Sequence, residues 1–259
     1  MSSRFLEAGQ GLAVVALAAS VLASGQVSAA GPGPGYSYVS ATYEWTDVKN
    51  GVKPSVDERF NNGSIEGYNL EASLGIISWG RKLGAHVLGQ YFDGQCAPCG
   101  TRSTGEPFDQ DFKSYKVGLG GNIGFDLIGL NDRTDLVLRA FYIDTEQKGL
   151  NPDSTTFDPL TGDGYELEAV IRSQISPKAE FEVGYAYQAL TTNNCGQTSG
   201  NLADCDSSNR DVTIGLNYRV WSGITLLARG IIFDDDTGFE LGVRWYFGDL
   251  FGGDIIRLD

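Results

Sequence analysis

From Asn209 to Val220 the chain alternates in period two: Val212, Ile214, Leu216, Tyr218 and Val220 fall on one parity, Asp211, Thr213, Gly215, Asn217 and Arg219 on the other. Successive side chains of a strand point to opposite faces, so this stretch carries one apolar and one polar face. Near the end of the chain Phe239, Leu241, Val243, Trp245 and Phe247 oppose Glu240, Gly242, Arg244 and Tyr246, and earlier Tyr68, Leu70, Ala72, Leu74 and Ile76 oppose Asn69, Glu71, Ser73 and Gly75. The beat runs through the chain after residue 35 in segments of about ten residues, the spacing of strands that face lipid on one side and a polar lumen on the other. Strands are expected at 36–46, 65–76, 83–92, 113–123, 134–143, 164–175, 180–190, 210–220, 224–233 and 238–247. The expected fold class is all-β: an antiparallel up-and-down transmembrane β-barrel of about ten strands.

The connections carry independent weight. Those between strands 1–2, 3–4, 5–6 and 7–8 are long and rich in Asp, Asn, Gly, Ser and Pro, whereas those between 2–3, 6–7 and 8–9 shrink to Ser78-Trp79-Gly80, Ser176-Pro177-Lys178-Ala179 and Ser222-Gly223. Short turns at one end and long loops at the other are how outer-membrane barrels are built, the short turns being periplasmic. Two connections depart from the rule: Gly124 to Arg133 is longer than a tight turn, and the last loop, around Asp234-Asp235-Asp236, is short for an external one.

A soluble up-and-down barrel shows the same period with its apolar face inward. Beside the loop asymmetry, two features favour lipid outside. Aromatic residues sit near strand ends (Tyr43, Trp45, Trp79, Tyr142, Tyr187, Trp221, Trp245, Phe247), as interfacial girdles require. Glycines (Gly75, Gly84, Gly118, Gly120, Gly184, Gly215, Gly242) stand among the charges of the polar face, where a crowded lumen needs small neighbours and a solvated surface does not.

Ahead of the strands, Arg4, an apolar run from Leu12 to Leu22 and Val27-Ser28-Ala29 read as a signal peptide over 1–30, with the mature chain starting near Ala30. The run is about a dozen residues, short of the roughly 20 that a membrane helix needs. Residues 31–35 are a Gly/Pro lead, 36–247 the barrel and 248–259 a tail. A net charge of −14 excludes the basic footprint of a nucleic-acid binder.

With Tyr36 to Tyr43 (YSYVSATY) opening the first strand and Gly242 to Phe247 (GVRWYF) closing the last, the chain resembles the small outer-membrane β-barrel families, the OmpA-like and OmpX-like domains. The resemblance implies residence in the cell outer membrane of a Gram-negative type cell, contact with outer-membrane lipid and lipopolysaccharide, and insertion by the barrel assembly machinery. Such barrels end at or within a residue of an aromatic that the machinery reads. Here twelve residues follow Phe247, so either Phe247 or Phe251 is the candidate signal.

Chemistry-bearing residues are few. The single histidine, His86, lies early in an upward strand, at the wrong end of the lumen for an omptin-like protease or a lipid A deacylase, and is expected to be a hydrogen-bonded lumen histidine. No catalytic residue, metal site or cofactor is expected. The polar parity collects Lys116, Arg139, Arg172, Arg219, Arg229 and Arg244 against Glu44, Glu71, Glu166, Glu168, Glu182, Asp211 and Glu240. Charges in a narrow barrel must be paired or hydrated; a paired lattice closes the lumen and an unpaired ring selects ions, and near balance favours the lattice. Arg139, Arg172, Arg229 and Arg244 are each expected within reach of Glu71, Glu168, Glu182 or Glu240. Leu88, Phe92, Phe141, Ile143, Ile231 and Phe233 also fall on the inward parity near the upper strand ends, as a plug or as the mouth for a small apolar ligand.

Cys96, Cys99, Cys195 and Cys205 fall in two connections, an even set that reads as disulfides in an exported protein; of three possible pairings the local one, 96–99 with 195–205, is expected. The acidic clusters Asp234-Asp235-Asp236 and Asp153, Asp158, Asp163 do not match an EF-hand spacing. Three functions stay open: a structural or narrow porin-like barrel that is not an enzyme, a surface adhesin or ligand-binding barrel using the cysteine-tied loops, and an omptin-like hydrolase.

Overall fold

The computed structural model describes residues 36–48, 63–79, 83–101, 107–129, 134–150, 160–198, 201–221, 223–233, 237–247 and 256–257. The signal-peptide and lead readings, Phe251, Asp153, Asp158 and Asp234 to Asp236 lie outside these residues, as do the side chains of Trp79, Cys99, Cys195 and Cys205.

Ten antiparallel strands, β1 (Tyr38–Val48), β2 (Gly63–Trp79), β3 (Leu83–Thr101), β4 (Pro107–Gly124), β5 (Thr134–Leu150), β6 (Leu160–Gln174), β7 (Ala179–Thr198), β8 (Asn201–Trp221), β9 (Ile224–Phe233) and β10 (Thr237–Tyr246), pair each with the next in sequence. β1 pairs with both β2 and β10, so the sheet closes on itself and leaves no membrane-exposed edge. Partners followed from Gly124 on β4 through Asp135, Arg172, Glu182, Gly215, Arg229, Glu240, Glu44, Gly67 and Gly94 return to β4 at Phe112, a stagger of twelve residues. Such a shear tilts the strands and leaves a bore that side chains can fill.

The distribution of polarity is the reverse of a soluble protein's. Outward positions hold Val117 (62% exposed), Leu119 (66%), Leu167 (52%) and Leu241 (51%), while Arg172 and Arg244 (1% each) and Glu182 (4%) are buried. Water outside would leave a continuous apolar band uncovered on every strand, far beyond the patch a soluble monomer tolerates. Lipid outside removes the difficulty, and the barrel is therefore membrane-spanning. An aromatic girdle marks one boundary of the band: Tyr43 and Tyr68, Tyr91 and Tyr115, and Tyr142 and Tyr165 are register partners. The first two pairs are in ring contact, with centroids 5.6 and 4.9 Å apart. Trp221, Trp245 and Phe247 lie at the other end of the strands.

The strands of the β2–β8 wall run further than the alternation alone implies. β3 continues to Thr101, β4 starts at Pro107, and β7 and β8 reach Thr198 and Asn201, so the expected long connections 3–4 and 7–8 are mostly strand, whereas β9 and β10 stop at Phe233 and Thr237. The cysteines thus lie in strands: the register skips between Cys96 and Gly100 on β3 and between Thr192 and Gly196 on β7, with Cys99 and Cys195 inside the skipped segments. Cys205 on β8 pairs with Thr192 beside the second skip.

At the opposite end, the 4–5 connection owes its length to a 3-10 turn, Phe125–Ile128, closed by Gly129, whose φ of 77° and amide bond to Asp126 reverse the chain. The 8–9 turn uses Gly223 at φ 81° in the same way. In the 6–7 turn Ser176 Oγ accepts from the amides of Lys178 and Ala179, a side-chain mimic of a backbone turn. Of the tail, Ile256–Arg257 forms β11, which pairs in parallel with Ile77 and Ser78 of β2, beyond the point where β1 leaves that edge.

The inward glycines make room for neighbouring lumen side chains. A Cβ at Gly120 would lie 2.1 Å from His86 Nε2, one at Gly118 2.6 Å from Phe141 Cδ1, and one at Gly215 2.6 Å from Glu182 Cγ. At Gly242, as at Gly118 with Ala140 O at 2.3 Å, the Cβ would meet backbone, here Ala41 O at 2.2 Å and Thr42 Cα at 2.6 Å, which cannot turn aside as a side chain can. Gly242→Ala should destabilise the β1–β10 seam by about 1–3 kcal/mol, the usual cost of overpacking. Urea unfolding in lipid vesicles measures it; an unchanged midpoint would show that the seam has slack.

Candidate functional site: the filled lumen

Three layers of side chains fill the bore. In the middle, Arg139 on β5 lies 3.0 Å from Glu168 on the neighbouring strand β6 and 3.8 Å from Glu71 on β2, and donates to the Tyr38 hydroxyl on β1 at 3.2 Å. β5 is four strands from β1 in a ring of ten, so this arginine spans the bore. Tyr38 in turn donates to Glu71. Arg229 on β9 holds Glu182 on β7 at 2.7 Å and Glu240 on β10 at 2.7 Å. Thr42 donates to Glu240, and Asn217 to Glu182 at 3.1 Å and Glu180 at 3.0 Å, so these carboxylates accept from neutral donors as well. That multiple satisfaction is what lets a buried ion pair recover its desolvation penalty.

The layer toward the short turns is aromatic and cationic. The Arg172 guanidinium pairs with Asp135 at 3.3 Å and lies 4.6 Å from the ring centre of Tyr36; Arg244 lies 4.3 Å from the ring centre of Tyr38 and 6.0 Å from that of Tyr246. Cations over aromatic faces are stabilised without a counter-ion. Toward the long connections, Lys116 pairs with Glu166 at 2.8 Å, and Leu88, Phe141 and Ile143 form a buried apolar cluster with Leu190 packed against it.

Several expectations need correction. Arg172 finds Asp135 rather than a glutamate, because the two are register partners on β6 and β5. Arg244 forms no carboxylate pair among the described residues and sits between Tyr38 and Tyr246 instead. Arg219 lies on the inward parity at the last turn of the bore, makes no ion pair among the described residues, and is held through its backbone amide, which donates to Lys178 O at 2.7 Å. His86 is buried as expected, but neither ring nitrogen has a hydrogen-bond partner among the described residues; the imidazole is stacked on Tyr36 at 5.2 Å. The apolar mouth divides: Leu88, Phe141 and Ile143 join, Phe92 packs over Gly67 and Gly94, and Ile231 and Phe233 on β9 stand outside the cluster.

Asp135, Tyr36, Tyr38, Tyr246 and Asn217 were not among the expected members of the lattice. Parity could have found all five: Asp135 shares the phase of Arg139, Tyr36 and Tyr38 that of Glu44, Tyr246 that of Arg244 and Asn217 that of Arg219.

Fold and lumen define the class: a closed, membrane-spanning β-barrel whose bore is packed with paired charges and aromatic rings. No family model and no curated protein matches the chain. Among solved structures it is similar to the translocator domain of the autotransporter NalP from Neisseria meningitidis (12% identity, 95% of this chain and 98% of that one, TM-score 0.46). It is also similar to the attachment invasion locus protein Ail of Yersinia pestis (14%, 82% and 97%, TM-score 0.38) and to the KdgM porin in complex with disordered oligogalacturonate (11%, 81% and 99%, TM-score 0.37). At these scores the likeness carries no information about lumen contents.

Proposed function

We propose that this chain is an outer-membrane barrel of structural role, with a lumen held nearly closed, and that it is not an enzyme. The observation that carries the reading is Arg139, which ties β5 to β1, β2 and β6 through Tyr38, Glu71 and Glu168 across the bore. A solute-conducting pore keeps its midsection free of such crossings. Outer-membrane lipid and lipopolysaccharide are its surroundings in this proposal, and the barrel assembly machinery its route of insertion. A hydrolytic role is disfavoured by His86, which packs on Tyr36 in the layer near the short turns rather than at the mouth. Liposome swelling tests the reading. Vesicles loaded with the purified protein should not swell in arabinose faster than empty vesicles, and rapid swelling would contradict a closed bore.

A second reading, surface contact through projecting hairpins, is favoured by the length of β3–β4 and β7–β8 beyond the tyrosine girdle. The register skips beside Cys96 and Cys205 suit the local pairings 96–99 and 195–205. Because the girdle and seam pair without them, reduction should loosen the hairpin tips and leave the barrel folded. Protease cleavage confined to 96–106 and 193–205 after reduction is the expected pattern, alongside unchanged heat-modifiable migration on a gel. Collapse of the barrel on reduction would show that the cysteines hold more than the tips.

A further inference from the structure

Tyr36, two residues ahead of the first strand residue, leaves the wall and crosses the bore. Its ring stacks on His86 of β3 with centroids 5.2 Å apart and an interplanar angle of 22°, and the Arg172 guanidinium of β6 lies 4.6 Å from the ring centre. Its hydroxyl donates to Asp135 Oδ2 of β5. The niche is built by the wall and not by Tyr36: Asp135 and Arg172 are register partners, His86 is seated over Gly120, and Asn122 beside them lies over Gly84. Its polar capacity exceeds what one phenol meets. Among the described residues, both nitrogens of His86, Asn122 Oδ1, Asp135 Oδ1, and Arg172 Nε and Nη1 are buried without a hydrogen-bond partner, in residues that are 5% exposed or less.

Among the described residues, three hydrogen bonds hold the Tyr36–Ser37 backbone segment that delivers the ring. Tyr36 O accepts from Ser73 Oγ at 2.6 Å, Ser37 Oγ accepts from the Gly75 amide at 3.1 Å, and Ser37 O accepts from the Phe247 amide at 3.2 Å. From Tyr38 onward the chain is locked into both neighbouring strands.

We propose that the inner wall of β3–β6 carries a binding niche for hydroxylated aromatic rings, and that Tyr36 is its tethered occupant, a releasable stopper for the short-turn end of the lumen. A flat ring stacks on the imidazole, the guanidinium contributes a cation–π contact, and Asp135 accepts from a ring hydroxyl. Aliphatic alcohols lack the face, and unsubstituted rings lack the donor. This rests on the closed-lumen reading only in the word stopper; the niche itself stands apart from it.

The test uses the full chain with Tyr36→Ala and, as probe, 4-methylphenol, which reproduces the tyrosine side chain. The variant should unfold at a lower temperature than wild type, and 4-methylphenol should restore most of that loss in a saturable manner, with toluene restoring less and wild type, its niche filled, unchanged. In planar bilayers the variant should conduct more than wild type, and the probe should reverse the increase. If Tyr36→Ala refolds poorly, refolding yield in 4-methylphenol is the readout, and rescue is the expected result. Tyr36→Phe keeps the ring and loses the donor, so it should fold, fall between the two in stability and ignore the probe. Equal effects of 4-methylphenol on wild type and Tyr36→Ala, or none on either, overturn the niche. A wild type that is already open, with probe rescue of Tyr36→Ala stability intact, overturns the closed lumen and leaves the niche.

Discussion

Arg229→Ala should destabilise the barrel by about 3–5 kcal/mol, the cost of leaving buried charge uncompensated, because two carboxylates lose their shared cation. Glu182 and Glu240 are 4% exposed each, and Arg229 contacts both at 2.7 Å. The remaining donors, Asn217 to Glu182 and Thr42 to Glu240, are neutral. Water must then enter to solvate the pair. Glu44 is the register partner of Glu240, and Asp211 on β8 pairs with Phe233 at the top of β9, so the path above Arg229 is already acidic. The hydrated lumen should therefore pass cations in preference to anions. Urea titration in vesicles gives the stability, and reversal potential in a potassium chloride gradient gives the selectivity. Arg229→Lys, a single ammonium that cannot reach two carboxylates in the same fork geometry, should recover only part of the loss. Stability unchanged in Arg229→Ala would mean that the carboxylates are not buried as charges.

The second large effect lies on the other face. Leu241 and Val243 are 51% and 44% exposed on β10, between Glu240, Gly242 and Arg244 on the lumen side. Leu241→Arg should cost about 2–4 kcal/mol if the site lies near the bilayer midplane, less toward either interface. Glu240 and Arg244, one to three positions away, are fully compatible with the same membrane because they point inward. The expected outcome is a failure of Leu241→Arg to reach the heat-modifiable, folded form in vesicles, under conditions in which Leu241→Ala reaches it. Normal insertion of the arginine variant would place water, not lipid, against this face.

Strand number, closure and facing were legible because they follow from one local rule. Parity assigns every side chain on a strand once one residue is placed, and a ten-strand closed sheet follows from ten alternating segments. Where the rule ran out is instructive. The polar upper parts of β3, β4, β7 and β8, rich in Asp, Gly, Ser and Asn, read as loops because those residues have low strand propensity, yet each hairpin is held by its partner's backbone. Parity also says which way a side chain points and not how far it reaches. Arg139 could be placed inside, but its contact with Tyr38 and Glu71 depends on the stagger of the barrel, which no single strand encodes. Arg172 pairs with Asp135, its register partner on β5, and parity alone does not rank that aspartate above the more numerous inward glutamates. Tyr36 shares the inward parity of Tyr38 and Glu44, but its reach across the bore to His86, Arg172 and Asp135 is a tertiary outcome that parity does not encode.

Conductance of the purified wild-type protein in planar bilayers, followed by Arg229→Ala under the same salt, tests the closed, charge-paired lumen most directly. Wild type should show little or no stable conductance, and Arg229→Ala a clear, cation-selective increase. A large and steady wild-type conductance that Arg229→Ala leaves unchanged would contradict it.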